Sequence, residues 1–164
     1  AIDCPSEFAD FQKLKCLEKI LNDRSSRNRR DVLRCIQRIV NESPLKKNFI
    51  KSDSTESSLN YYDNIKALAI KFVPIILNLL YDRDNSVVAS AIDCLYSFTE
   101  SNLFVHDKKI EELCINSASS LLSDESQIIR AAAAKFFAKL LFYKHNNSEM
   151  DNNTSILRLV DFRF

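Results

Sequence analysis

Two stretches of this chain superimpose at a constant offset of 42 residues: Leu80, Asp82, Val87, Ala91 and Leu95 fall on Leu122, Asp124, Ile129, Ala133 and Phe137. Each reads as an amphipathic helix, a short polar turn around an aspartate, and a second amphipathic helix. A unit of this kind cannot bury its apolar face alone, so such units fold by stacking on one another. A partial third copy lies upstream: at an offset of 59, Leu21, Asp23, Arg24, Cys35 and Ile36 fall on Leu80, Asp82, Arg83, Cys94 and Leu95. The expected fold is all-α, an α-α superhelix of about three helix pairs plus a C-terminal helical piece.

The pattern divides one domain, 1–164, into repeats at about 8–43, 60–101 and 107–143 and predicts that it is part of a longer solenoid. The extra residues in the 59-residue offset fall in 44–59, which carries Ser52-Asp-Ser-Thr-Glu-Ser-Ser58 without periodicity and reads as a flexible loop. Phosphorylation there would set negative charge beside Lys46, Lys47 and Lys51, although a plain solvated loop is the simpler reading. Pro74 falls inside the first helix of the second repeat, where it removes a hydrogen bond and predicts a kink. The apolar segment 154–164 follows an Asn-rich linker and reads as a cap on the stack or the start of a fourth repeat.

The chain contains no glycine. That disfavours tight hairpins, and it rules out the glycine-dependent P-loop, dinucleotide-binding turn and nucleophile elbow. A net charge of +1 conceals a gradient, with 12 Lys/Arg against 7 Asp/Glu in residues 1–51 and 11 against 15 in 52–164. This gradient can steer a partner, but it is too weak for a dedicated nucleic-acid surface. The five cysteines are widely spaced, contain no CxxC pair and mostly follow the apolar helical pattern, which suits a reducing cytoplasmic or nuclear setting. The most apolar stretch, Ala67 to Tyr81, is interrupted by Lys71, Pro74 and Asn78 and is too short to span a bilayer, so no membrane association is expected.

Pro74, Leu79, Leu80, Asp82, Val87 and Ala91, with Leu121, Leu122, Asp124, Ile129, Arg130 and Ala133, resemble the HEAT repeat family. Its pattern is a proline in a kinked first helix, two leucines, a turn aspartate, then Val-Arg and an alanine. Val88 stands where that pattern has arginine, which interrupts the ladder of turn aspartates and arginines the resemblance implies and leaves Asp82 with Arg130 as one available rung. The tryptophan-dependent armadillo variant is disfavoured because the chain has no Trp. The resemblance implies non-enzymatic protein recognition, as a scaffold or adaptor module.

Lys71-Phe-Val-Pro-Ile-Ile-Leu-Asn-Leu-Leu-Tyr-Asp82 also looks like a repeat from the TOG domains of the cytoplasmic-linker-associated microtubule proteins. That likeness implies tubulin binding through the turns, with Arg24, Arg27, Arg29, Arg30 and Arg83 as partner-binding residues facing an acidic surface. The acidic third turn, Asp124-Glu125-Ser126, opposes it, as does the lack of an aromatic in the first turn.

Chemistry finds little support. His106 and Cys114 are eight residues apart, roughly 12 Å along a helix and beyond hydrogen-bond reach. No spacing typical of metal ligands occurs, and neither a cofactor nor a catalytic group is expected. Phe11, Phe72, Phe98, Phe136 and Phe137 follow the core stripe, whereas Phe49, Tyr61, Tyr62, Phe162 and Phe164 are the better candidates for partner contacts.

Overall fold

A computed structural model describes the backbone of residues 11–42, 56–101 and 108–142, and the side chains of 15–41, 66–101 and 108–142. The described residues are helical apart from short turns. They form α1 (Phe11–Leu21), α2 (Ser26–Glu42), α3 (Glu56–Asn78), α4 (Asn85–Glu100), α5 (Lys108–Leu121) and α6 (127–142). A 3-10 turn, Leu79–Tyr81, continues α3 towards the aspartate of the second turn.

The helices pair as the periodicity predicts, with α1, α3 and α5 in one layer and α2, α4 and α6 in the other. Within the first layer, Lys71 of α3 meets Glu18 of α1 at 3.2 Å. Lys135 of α6 lies 4.4 Å from the centre of the Tyr96 ring of α4, and Lys139 meets Glu100 at 3.8 Å.

The core lies between the layers. Phe72, Phe98 and Phe136 are fully enclosed, with Leu33, Ile76 and Leu95 among the other enclosed side chains. Phe137 packs half-buried against them. Cys94 and Cys114 are buried as small hydrophobes, whereas Cys16 is exposed and Cys35 half-buried.

Several sequence expectations acquire boundaries. Helix α3 starts at Glu56, so the last four residues of the 44–59 loop are helical, and 44–55 lie outside the described residues. Helix α3 runs through Pro74 to Asn78 before tightening into the 3-10 turn. Pro74 itself is exposed, so the backbone carbonyl it leaves without a partner has access to water. Segment 154–164, both histidines, Phe49, Phe162 and Phe164 lie outside the described residues, as do the side chains of Phe11, Tyr61 and Tyr62.

The enclosed aromatics make the layer interface sensitive to truncation. Phe98→Ala should lower unfolding free energy by about 3–5 kcal/mol in urea denaturation, with the helical content of the folded state retained. A loss below about 1 kcal/mol would mean that Phe98 does not fill the core.

Candidate functional site

The three inter-helix turns among the described residues, those joining α1 to α2, α3 to α4 and α5 to α6, are built alike. In each, an aspartate side chain accepts from the backbone N–H two residues on: Asp23 Oδ1 from Ser25 at 2.7 Å, Asp82 Oδ1 from Asp84 at 2.9 Å, and Asp124 Oδ1 from Ser126 at 2.8 Å. This local bond folds the chain back without a glycine and delivers a capping residue to the next helix. Asp84 Oδ1 accepts from the Ser86 N–H at 2.9 Å and from the Ser86 hydroxyl at 2.7 Å, which satisfies an orphan donor at the start of α4.

The arginine six residues after the aspartate completes the turn. Arg29 Nη1 donates to the carbonyls of Asp23 at 2.6 Å and Arg24 at 3.1 Å, and Arg130 Nη1 donates to those of Asp124 and Glu125, both at 2.8 Å. Arg29 then goes further. Its Nε and Nη2 each donate at 2.8 Å to the carboxylate of Asp82, in the next repeat. The two side chains are only 14% and 8% exposed, so this bidentate pair is made largely out of water.

The expected rung from Asp82 to Arg130 is therefore corrected. Arg29 is pinned to its own turn and its remaining edge points onward along the stack, so Asp82 receives the arginine of the preceding repeat. The register contains this signal, since Arg29, Val88 and Arg130 share one position at the offsets of 59 and 42, but aligning the partial first repeat through Arg24 does not bring it out.

Two of the five candidate partner-binding residues make contacts within this interface. Arg29 is consumed within the fold. Arg30 is half-buried and donates to Ser86 Oγ at 3.3 Å, while its Nε is enclosed without a partner among the described residues. Arg24, Arg27 and Arg83 remain exposed. Arg27 is 81% exposed and comes only within 3.9 Å of Asp31. The second turn also carries a residue that sequence reasoning missed: Tyr81, 74% exposed at the end of the 3-10 turn. Its place in the run Leu79-Leu80-Tyr81 suggests core, but it falls three residues after Asn78 and seven after Pro74, on the exposed stripe of α3.

The Arg29–Asp82 pair joins the first and second turns, so Arg24, Arg27, Tyr81 and Arg83 share one edge of the stack. The third turn continues that edge with exposed Ser123 and Glu125.

Residues 72–101, from the second half of α3 through α4, match the family model of the HEAT repeat. No curated protein and no solved structure matches the chain. HEAT repeats generally mediate contacts between proteins and are typically non-catalytic. In and beside the matched segment, burial pushes the Cys94 thiol well up, with Asp93 adding to the effect, and pushes Cys114 up to about 12, with Glu111 adding. Both thiols stay protonated and packed. No group of potential metal ligands occurs among the described residues, and no helix there is long and apolar enough to cross a membrane.

The turn geometry separates the two arginines by their cost of removal. Arg29→Ala strands the Asp82 carboxylate in a mostly dry site and should cost about 3–5 kcal/mol in urea denaturation. Arg130→Ala removes only exposed turn contacts and should cost about 1 kcal/mol or less. Equal losses would show that the inter-repeat pair adds nothing.

Hydrogen bonds from the side chain of Ser26 and from the side chain and backbone of Ser86 hold the Asp84 carboxyl down at about 2, against an ordinary 3.8, with Arg30 assisting. A depressed acid stabilises the fold above its unfolded pKa, and that stability is lost as pH falls through the folded value. The stability advantage of the wild type over Asp84→Asn should be complete above pH 3.8 and should fade as pH drops to about 2. A difference independent of pH across this range would exclude a role for the charge.

Proposed function

We propose that the chain is a non-enzymatic scaffold or adaptor module that binds a protein with an acidic surface through its first two inter-helix turns. The observation that carries this reading is the exposed set Arg24, Arg27, Tyr81 and Arg83 on one edge, held in register by an ion pair beneath it. Arginine offers a planar fork of donors to carboxylates, and an exposed tyrosine supplies contact area at low entropic cost, so together they suit a protein contact. In this reading residues 1–164 are one HEAT-like domain within a longer solenoid, working in the cytoplasm or nucleus. Tubulin is the alternative partner, favoured by the same three exposed arginines and opposed by Glu125 in the third turn.

The test avoids Arg29 and Arg30, whose loss would disturb the fold. Wild type, Arg24/Arg27/Arg83→Glu and Tyr81→Ala are compared for proteins retained from cell extract, identified by mass spectrometry, and for binding to purified tubulin. Acid-surfaced proteins should bind wild type, release with rising salt and be lost by the charge-reversed variant, with Tyr81→Ala weakening binding about tenfold or more. Retention of the same partners by all three chains would move recognition to another surface. Failure of tubulin alone would remove only the alternative.

A further inference from the structure

Helix α3 lies between α1 and α5 in its layer, and its outward stripe is apolar. Ile70 is 57% exposed and Tyr81 74%, with exposed Pro74 and Asn78 between them on the same face. On α5, Leu113 is 54% exposed and shares the register position of Lys71, which reaches back to Glu18 of α1. Leu113 therefore stands on the α3 side of α5 and widens the strip. From Ile70 to Tyr81 the strip runs for about 16 Å along the helix, and an exposed apolar strip with a polar rim is the form of a docking surface.

The rim is basic on one side only. Lys15 and Lys19 are exposed on α1, whose Glu18 is taken up by Lys71 at 3.2 Å, and exposed Arg24 and Arg83 stand at the end nearest the turns. On α5, Lys108 and Lys109 offset Glu111 and Glu112.

We infer that this strip docks an amphipathic helix of a partner protein, antiparallel to α3, with acidic residues in its first turn near Tyr81 and along the flank that faces α1. The inference rests on the proposed acidic partner and gives that contact its form. Helices favour acidic side chains in their first turn, and a first turn set at the C-terminal end of α3 also opposes the two helix dipoles. The direction that brings carboxylates to Arg24 and Arg83 is thus the antiparallel one. About three turns of helix cover the strip with apolar side chains on one face. A second copy of the chain fits less well. Among the described residues, the exposed side chains of its α3 are uncharged, those of its α1 are basic and those of its α5 carry no acidic excess, so that layer offers Lys15 and Lys19 no acidic flank.

The test uses a synthetic helical peptide of about four turns, with leucine along one face and glutamate in the first turn and along one flank, beside a second peptide with lysine for each glutamate. Fluorescence anisotropy follows both on the full chain, on Ile70→Ser, on Lys15→Glu/Lys19→Glu and on Arg24/Arg27/Arg83→Glu. The glutamate peptide should bind wild type about tenfold more tightly than the lysine peptide, and Ile70→Ser and the Lys15/Lys19 reversal should each weaken it about fivefold or more. A nitroxide on its first turn should broaden the amide signal of Tyr81 more than that of Ile70. No binding of the glutamate peptide, the opposite broadening, or binding that Ile70→Ser and the Lys15/Lys19 reversal leave unchanged would overturn the inference. Acidic proteins from cell extract that Arg24/Arg27/Arg83→Glu releases, but that Ile70→Ser and the Lys15/Lys19 reversal retain, would also overturn it while leaving the reading of the turns in place.

Discussion

The guanidinium of Arg29 is where local turn geometry becomes stacking geometry. One nitrogen closes its own turn on two carbonyls, and the other two grip the Asp82 carboxylate of the following repeat. A buried pair of this kind adds little net stability, because desolvation offsets most of its Coulombic gain. What it does is make error expensive. If α4 slipped by one residue against α2, Leu33 and Ile36 would still find apolar neighbours, but Arg29 and Asp82 would be left as uncompensated charges in a mostly dry site. The apolar faces supply the driving force for stacking, and the ion pair fixes the register in which they meet.

The second interface achieves the same end by other means. Val88 occupies the arginine position of the central repeat and is buried, so Asp124 has no rung from the preceding repeat and, among the described residues, bonds within its own turn. In place of the rung, α6 reaches back to α4 with Lys135 over the Tyr96 ring and Lys139 towards Glu100. These are partly exposed contacts of lysine, a flexible point charge, and they constrain orientation less than a bidentate fork does. The first two repeats are therefore joined more specifically than the second and third, and the rigid pair is the one beneath the proposed binding edge.

Much of this architecture is legible in the amino-acid sequence. The offsets of 42 and 59 mark the three helix pairs, and the apolar stripe places Phe72, Phe98 and Phe136 in the core. Direction is not legible there. Periodicity says that Arg29 and Arg30 lie near the turn. Only the structure shows that the free edge of Arg29, pinned by two backbone carbonyls, grips Asp82 of the next repeat, and that Arg30 reaches Ser86. Tyr81 is legible but hidden by its neighbours: Leu79 and Leu80 are buried and suggest core, whereas the helical period places Tyr81 with exposed Ile70, Pro74 and Asn78.

The position of the structural arginines also shapes the surface left over. A turn whose arginine is folded inward keeps basic charge outside only if it carries additional arginines, and the first turn does so with Arg24 and Arg27. The second has a single exposed cation, Arg83, beside an aromatic, while the third exposes Glu125 and Ser123. Charge along the edge thus runs from basic through mixed to acidic over three turns spaced by the stacking register. A partner with a uniformly acidic face would meet attraction at one end and repulsion at the other. On the proposed reading the edge therefore favours an acidic feature narrow enough to engage two turns, and the Arg29–Asp82 pair holds those two turns together.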